Sequence, residues 1–264
     1  MSVGPAFEKA KAAGRAALVG YLPAGFPDVA GSVEAFRAMV DGGVDVVEVG
    51  LPYSDPVMDG PTIQAAAQQA LEGGVRTRDV LATVEAVAAT GVPVLVMTYW
   101  NPVVRYGVER FARDLATAGG SGLITPDLIP EEGQEWIDAA DRDGLDKVFL
   151  VAPSSTDERL AMTTASCRGF VYATAVMGVT GARTTTSGLA GPLVSRTRGV
   201  TRLPIGVGIG VSTGDQAAEV AGYADGVIVG SAFVRRLLDA SDPKAGVAAL
   251  GELTRELADG VRRG

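Results

Sequence analysis

Histidine is absent from the 264 residues, and its absence removes whole classes of chemistry. No Ser-His-Asp or Cys-His nucleophilic site can form. A His-ligated zinc or iron site is equally impossible, which excludes a zinc-dependent aldolase; no metal site is expected. Lysine is scarce: only Lys9, Lys11, Lys147 and Lys244 occur. A Schiff-base enzyme needs a lysine in its pocket. Lys147 precedes its strand run, at the wrong end, and the other three fall in terminal helical patterns. The single cysteine, Cys167, rules out an intrachain disulfide and fits a reducing compartment. No Lys/Arg block offsets the net charge of −8, which speaks against nucleic acid or an anionic membrane as partner. Apolar runs are short and broken, so no membrane span is expected. The N-terminal stretch lacks an apolar h-region, so no signal peptide is expected and the location is read as cytoplasmic. Asp, Glu and Tyr are left to move protons.

What is present is ample apolar material, 47% of the chain, in a repeating order. Short β-branched runs alternate with longer helical patterns. The runs are Ala17–Tyr21, Val44–Gly50, Val94–Thr98, Gly122–Thr125, Val148–Ala152, Phe170–Thr174, Ile205–Val207 and Gly226–Val229. Eight strand–helix units without a composition break predict parallel strands in one domain, residues 1–264. The count favours an α/β (β/α)8 TIM barrel, with an extra N-terminal helix and an extra helix after strand two. An open doubly wound sheet is the runner-up, weakened because no GxGxxG turn follows the first strand.

In a barrel, chemistry sits at the C-terminal ends of the strands. Those ends carry Tyr21, Glu48, Tyr99 with Asn101, Asp127, Pro153, Tyr172, Gly208 to Gly210, and Gly230-Ser231. The stretch Val46 to Pro61, VVEVGLPYSDPVMDGP, holds two acids. Strand alternation places Glu48 on the face of Val46 and Gly50, away from Val47 and Val49. Pointing into the barrel, Glu48 would be desolvated, its pKa raised and its carboxyl suited to acid–base work. The alternative is a structural ion pair with an arginine. Asp59 is either a second functional acid or a cap for the helix after Gly60-Pro61. Tyr172 either bonds an acid or substrate, or fills the core. The glycines after the seventh and eighth strands read as a phosphate seat or as tight turns. The small-residue run Gly178 to Gly188 reads as a substrate lid or as a plain loop.

VEVGLPYSDPVMDGPTIQ resembles the signature of the tryptophan synthase α subunit family. The resemblance continues through TYWNP at Tyr99 and Asn101, PDLIPEE from Pro126, FLVAPSSTDERL from Phe149, GVTGAR, GVGIGVS from Gly206 and VIVGSAF from Val227. It implies a (β/α)8 barrel that cleaves indole-3-glycerol phosphate to indole and glyceraldehyde 3-phosphate. It implies catalytic roles for Glu48, Asp59 and Tyr172. Phosphate would be held at Gly181, Gly210, Gly230 and Ser231, and the indole ring at Tyr21, Met97 and Tyr99. It further implies a β subunit that carries pyridoxal phosphate and receives the indole in an α2β2 heterotetramer, with no cofactor in this chain. A stand-alone lyase and a non-catalytic activator of the β subunit are the alternatives. The apolar rim stretches Pro52 to Pro61 and Asn101 to Gly107 are expected to meet the partner.

Overall fold

The computed structural model describes residues 1–174 and 188–264. Its strand segments are β1 (Ala17–Pro23), β2 (Val46–Gly50), β3 (Val94–Met97), β4 (Gly122–Ile124), β5 (Asp146–Val148), β6 (Leu150–Val151), β7 (Val171–Thr174), β8 (Ile205–Gly208) and β9 (Gly226–Val229). All pairs are parallel, in the order β5-β4-β3-β2-β1-β9-β8-β7-β6. Because β5 and β6 are consecutive pieces of one extended run, the two ends of this order meet. The sheet closes into the expected (β/α)8 barrel.

The fifth barrel strand departs from the sequence reading. It begins at Asp146 rather than Val148 and changes partner at Phe149. Its first half pairs with β4 and its second with β7. Inward and outward positions alternate without interruption: Val148 and Leu150 join the barrel interior, Phe149 and Val151 the layer under the helices. Lys147 therefore lies within the strand, on its outer side, and its Nζ pairs with Asp141.

The helices are α1 (Gly4–Ala12), α2 (Val29–Gly42), α3 (Pro61–Glu72), α4 (Thr77–Ala88), α5 (Trp100–Tyr106), α6 (Val108–Thr117), α7 (Gln134–Asp143), α8 (Asp157–Ser166), α9 (Ala190–Arg198), α10 (Gly214–Ala221), α11 (Ser231–Leu238) and α12 (Pro243–Gly260). The extra N-terminal helix and the extra helix after strand two are both present. Local chemistry sets many ends. Asp28 accepts the Gly31 N–H at the start of α2, and Gly43 ends that helix at φ +108°, where glycine alone is comfortable. The sequence reading left residues 101–107 as a rim loop; residues 100–106 form α5 instead. Pro102 sits in its first turn, where a missing N–H is harmless. A distant cap starts it: the Asp127 carboxylate accepts the Trp100 N–H at 2.9 and 3.1 Å.

Two apolar layers hold the barrel. Val47, Val49, Val94, Val96, Val171, Val207 and Val229 face the helices. Val19, Val46, Leu95, Ile124, Val148, Phe170 and Ile228 fill the interior. The floor is α1 with its N-cap: Val3 at the cap and Phe7 and Ala10 of the helix join that interior cluster. It is tied down at buried Asp146, which accepts from the Val3 N–H at 2.8 Å and the Ser2 hydroxyl at 2.9 Å.

Aromatic rings rise from that floor. Phe7 lies 5.1 Å from Phe170, centroid to centroid, and Phe170 6.3 Å from Tyr172. Each ring needs a neighbour without a side chain. A Cβ on Gly226 would stand 2.7 Å from Phe7, and one on Gly206 would stand 2.9 Å from Phe170. The inner positions of β8 and β9 are therefore glycine-rich for packing as well as for whatever they do at the mouth.

Gly226→Ala should drive Phe7 off the floor and destabilise the fold by about 1–3 kcal/mol. Chemical denaturation of Gly226→Ala, Phe7→Leu and the pair should show non-additivity, with the smaller side chain recovering part of the loss. Additive effects would mean that the two residues do not share this space.

Candidate active site

The C-terminal ends of the strands surround a cleft of about 750 Å³, counting its open mouth. β1 supplies Tyr21, β2 Glu48, β3 Met97, β6 Leu150, and β7 Tyr172 and Thr174. The loop after β2 adds Met58 and Asp59, and α3 adds Ile63. Gly208, Ile209, Gly210, Ile228, Gly230 and Ser231 complete the wall. Of the residues singled out from sequence, Tyr21, Glu48, Asp59, Met97, Tyr172, Gly210, Gly230 and Ser231 thus line one cleft. Gly181, and the Gly178 to Gly188 run through residue 187, lie outside the described residues.

Glu48 is fully buried. Neither carboxyl oxygen has a hydrogen-bond partner among the described residues. Among the described residues, therefore, the arginine pair considered from sequence is not formed. An unpartnered carboxylate in an apolar wall is unfavourable, so burial pushes the pKa from 4.5 up to about 8. The acid is held mostly protonated at neutral pH.

Asp59 does not cap α3. The residue at that cap is Gly60, without a side-chain bond, and Pro61 follows in the first turn. The Asp59 carboxyl faces the cleft instead. Burial raises its pKa to about 6, and the Tyr99 hydroxyl opposes that rise. Burial thus raises the pKa of Glu48 further than that of Asp59, an arrangement suited to one carboxyl holding a proton while the other carries charge.

Tyr99 is placed differently from the expectation. It does not line the cleft but stands behind the loop. Its hydroxyl accepts the Met58 N–H at 3.0 Å, and its ring packs 5.4 Å from that of Tyr53. The Tyr53 hydroxyl in turn accepts from Asn101 Nδ2 at 3.1 Å. Tyr99 therefore fixes the turn that presents Asp59. Asp127 serves α5 rather than the cleft.

Two tyrosines lean over the acids, and burial pushes both hydroxyls well above their ordinary pKa. For Tyr21 the next causes are the charges of Asp59 and then Glu48; for Tyr172 they are Glu48 and then Asp59. Both phenols remain neutral donors. Tyr21 is registered opposite Glu48, on the neighbouring strand. Tyr172 lies across β8, where a Cβ on Gly208 would collide with its hydroxyl. Gly208 thus makes room for a ring.

No lysine or arginine lines the cleft among the described residues. Gly208, Gly210, Gly230 and Ser231 offer backbone groups to the cleft instead. Gly210 adopts φ +84°, a conformation suited to glycine. Gly230 precedes α11, and Ser231 is its first residue. A helix start directed at the cleft offers N–H groups and the positive end of the helix dipole. Among the described residues no cluster of His, Cys, Asp and Glu could hold a metal ion, and no helix is long and apolar enough to cross a membrane.

Met58, Ile63, Leu150, Thr174 and Ile228 also line the cleft and were not singled out from sequence. The period-two count that placed Glu48 would have reached Leu150, Thr174 and Ile228. The loop and helix contributors carry no such signal.

The raised pKa of Glu48 makes stability depend on pH. The ordinary value of 4.5 applies to the unfolded group, and burial in the fold raises it to about 8. The folded state binds the extra proton between these values, so stability falls as pH rises through that window. Glu48→Gln removes the proton and its cost. Its gain over the native chain should be small at pH 4 and grow toward pH 9, to about 5 kcal/mol at most. Denaturation midpoints at the two pH values check this; a pH-independent difference would mean that Glu48 is not held protonated.

The model of the family described as "Tryptophan synthase alpha chain" matches residues 7–262. A tryptophan synthase alpha chain from Salinispora arenicola is 68% identical over 260 residues, covering 98% of this chain and 97% of that one. One from Thermobifida fusca is 63% identical, covering 96% and 95%. A solved structure of tryptophan synthase from Mycobacterium tuberculosis superposes with a TM-score of 0.94 at 58% identity, over 99% of this chain and 98% of that chain. Another, of tryptophan synthase subunit alpha from Legionella pneumophila, gives 0.87 at 32% identity, over 99% and 98%. With sequence and backbone agreeing from end to end, the chain belongs to the tryptophan synthase alpha chain family.

Proposed function

We propose that residues 1–264 form one catalytic domain that cleaves indole-3-glycerol phosphate into indole and glyceraldehyde 3-phosphate. The observation that carries this reading is the fully buried Glu48 carboxyl, without a hydrogen-bond partner among the described residues, in the wall of a cleft that Asp59 also lines. The phosphate would rest on the backbone at Gly210, Gly230 and Ser231. The indole ring would lie among Tyr21, Met97 and Ile228, with Asp59 at its N–H.

The carbon–carbon bond breaks once indole C3 carries a proton and the adjoining glycerol hydroxyl loses one. Glu48 first donates its proton to C3. The ring nitrogen becomes positive, and the Asp59 carboxylate stabilises that charge where it develops. The Glu48 carboxylate then takes the hydroxyl proton. The electrons of the O–H bond form the aldehyde, and those of the C–C bond return to the ring as indole leaves. Glu48 ends protonated, ready for the next substrate. Tyr172 would hold the Glu48 carboxyl or the hydroxyl in line as a neutral donor. The cycle is closed by side chains of this chain, with no cofactor of its own.

The family name points to a partner. We read this chain as the α partner of a cytoplasmic α2β2 complex, in which the β subunit carries pyridoxal phosphate and takes up the indole. The rim of the cleft supports a docking role: Val57 and Val104 are 69% and 50% exposed there.

Glu48→Gln should lower indole release by about 10³-fold while leaving substrate binding largely intact. Asp59→Asn should lower it by about 10²-fold. For the native chain, kcat/KM should rise as Asp59 ionises through about 6 and fall as Glu48 loses its proton through about 8. An indole-release assay across pH, with and without a β subunit, tests all three. Near-native turnover of Glu48→Gln would overturn the acid–base role, and full activity without the partner would favour a stand-alone lyase.

A further inference from the structure

Glu48 lines an open cleft and yet has no solvent exposure. Something must close its mouth side. On the inner face of β2 the residue next toward the mouth is Gly50. The place of its missing side chain is taken by Tyr21: a Cβ there would stand 2.7 Å from two carbons of the Tyr21 ring and would collide with its hydroxyl. Register fixes the source of the ring, because Tyr21 is paired with Glu48 and Pro23 with Gly50. The phenol thus crosses from β1 to β2 just above the acid. Gly50 is not needed for its backbone, since it has no positive φ. It is needed for the space.

We propose that Gly50 and Tyr21 act as a positioning pair: the bare Cα of Gly50 lets the Tyr21 ring lie across β2 on the mouth side of Glu48, and this seal keeps water from the carboxyl. The effect falls on the carboxyl's protonation and not on substrate contact alone. The other titratable groups that face this acid are Tyr172 from β7 and Asp59 from the loop. β3 and β9 present apolar Leu95, Met97 and Ile228. No cation of the cleft wall, among the described residues, competes with desolvation. The proposal rests on Glu48 being the proton donor, but it is tested on the carboxyl itself.

The test is infrared titration of the Glu48 carboxyl in the full chain, with Glu48→Gln as the blank, beside kcat/KM against pH. The native carboxyl should titrate near about 8. Gly50→Ala, Tyr21→Ala and the milder Tyr21→Leu should each lower that midpoint by about one pH unit or more, as water reaches the charged form. The alkaline limb of kcat/KM should move down with it. Tyr21→Phe, which keeps the ring, should leave the midpoint in place. Folding of each variant is read by circular dichroism, and the three sealing variants need not all fold for the result to decide. Native midpoints in the folded sealing variants would overturn the proposal. A lowered midpoint with an unmoved kinetic limb would uphold the seal and overturn the assignment of Glu48 as the donor.

Discussion

The structure turns on one constraint, a carboxyl kept dry without a partner. Glu48 sits among valines on β2, with no cation and no donor among the described residues to neutralise it. Its proton is retained only because water is kept out. Most of what surrounds it follows from that need: an apolar strand on either side, aromatic rings above, and a second acid set apart in a wetter place. Asp59 belongs to a loop, is half-buried and is opposed by a hydroxyl, so its pKa rises only to about 6. Position in the fold, more than residue type, separates two carboxyls into a proton store and a fixed charge.

Ring against glycine is the packing rule that makes this possible. Phe7, Phe170, Tyr172 and Tyr21 each occupy space that a Cβ on Gly226, Gly206, Gly208 or Gly50 would take. The column links the floor helix to the cleft through direct contact, Phe7 to Phe170 to Tyr172. It fills a barrel that has few bulky residues on β8 and β9. It also gives several glycines near the mouth a steric reason to exist, separate from any contact with an anion.

Period-two alternation made the fold and one of the two acids legible. It set the direction of Glu48, and the strand–helix count set the barrel. The motif resemblance supplied the grouping of Asp59 and the glycines with it, because loops have no period from which to derive a direction. Two features escaped. Phe149 looks like any strand residue, since the exchange of partners there changes hydrogen bonding and leaves side-chain direction alone. The α5 helix begins with a proline in its first turn and borrows its cap from Asp127, a residue 27 positions away, so no local signal marks it. Tyr99 was misplaced for a similar reason. It sits at the right strand end, but its hydroxyl reaches Met58 behind the loop.

The proposed anion end of the cleft offers, among the described residues, peptide groups and the Ser231 hydroxyl, in a protein whose net charge is −8. Dipoles act at short range, whereas the net charge is felt at a distance. A phosphorylated substrate would therefore be repelled on approach and held only after arrival. Added salt would screen the repulsion and scarcely touch the seat, so capture would quicken with ionic strength, the reverse of a lysine- or arginine-lined site. Such a cleft gathers no stray phosphates by its field; what it retains, it retains by shape.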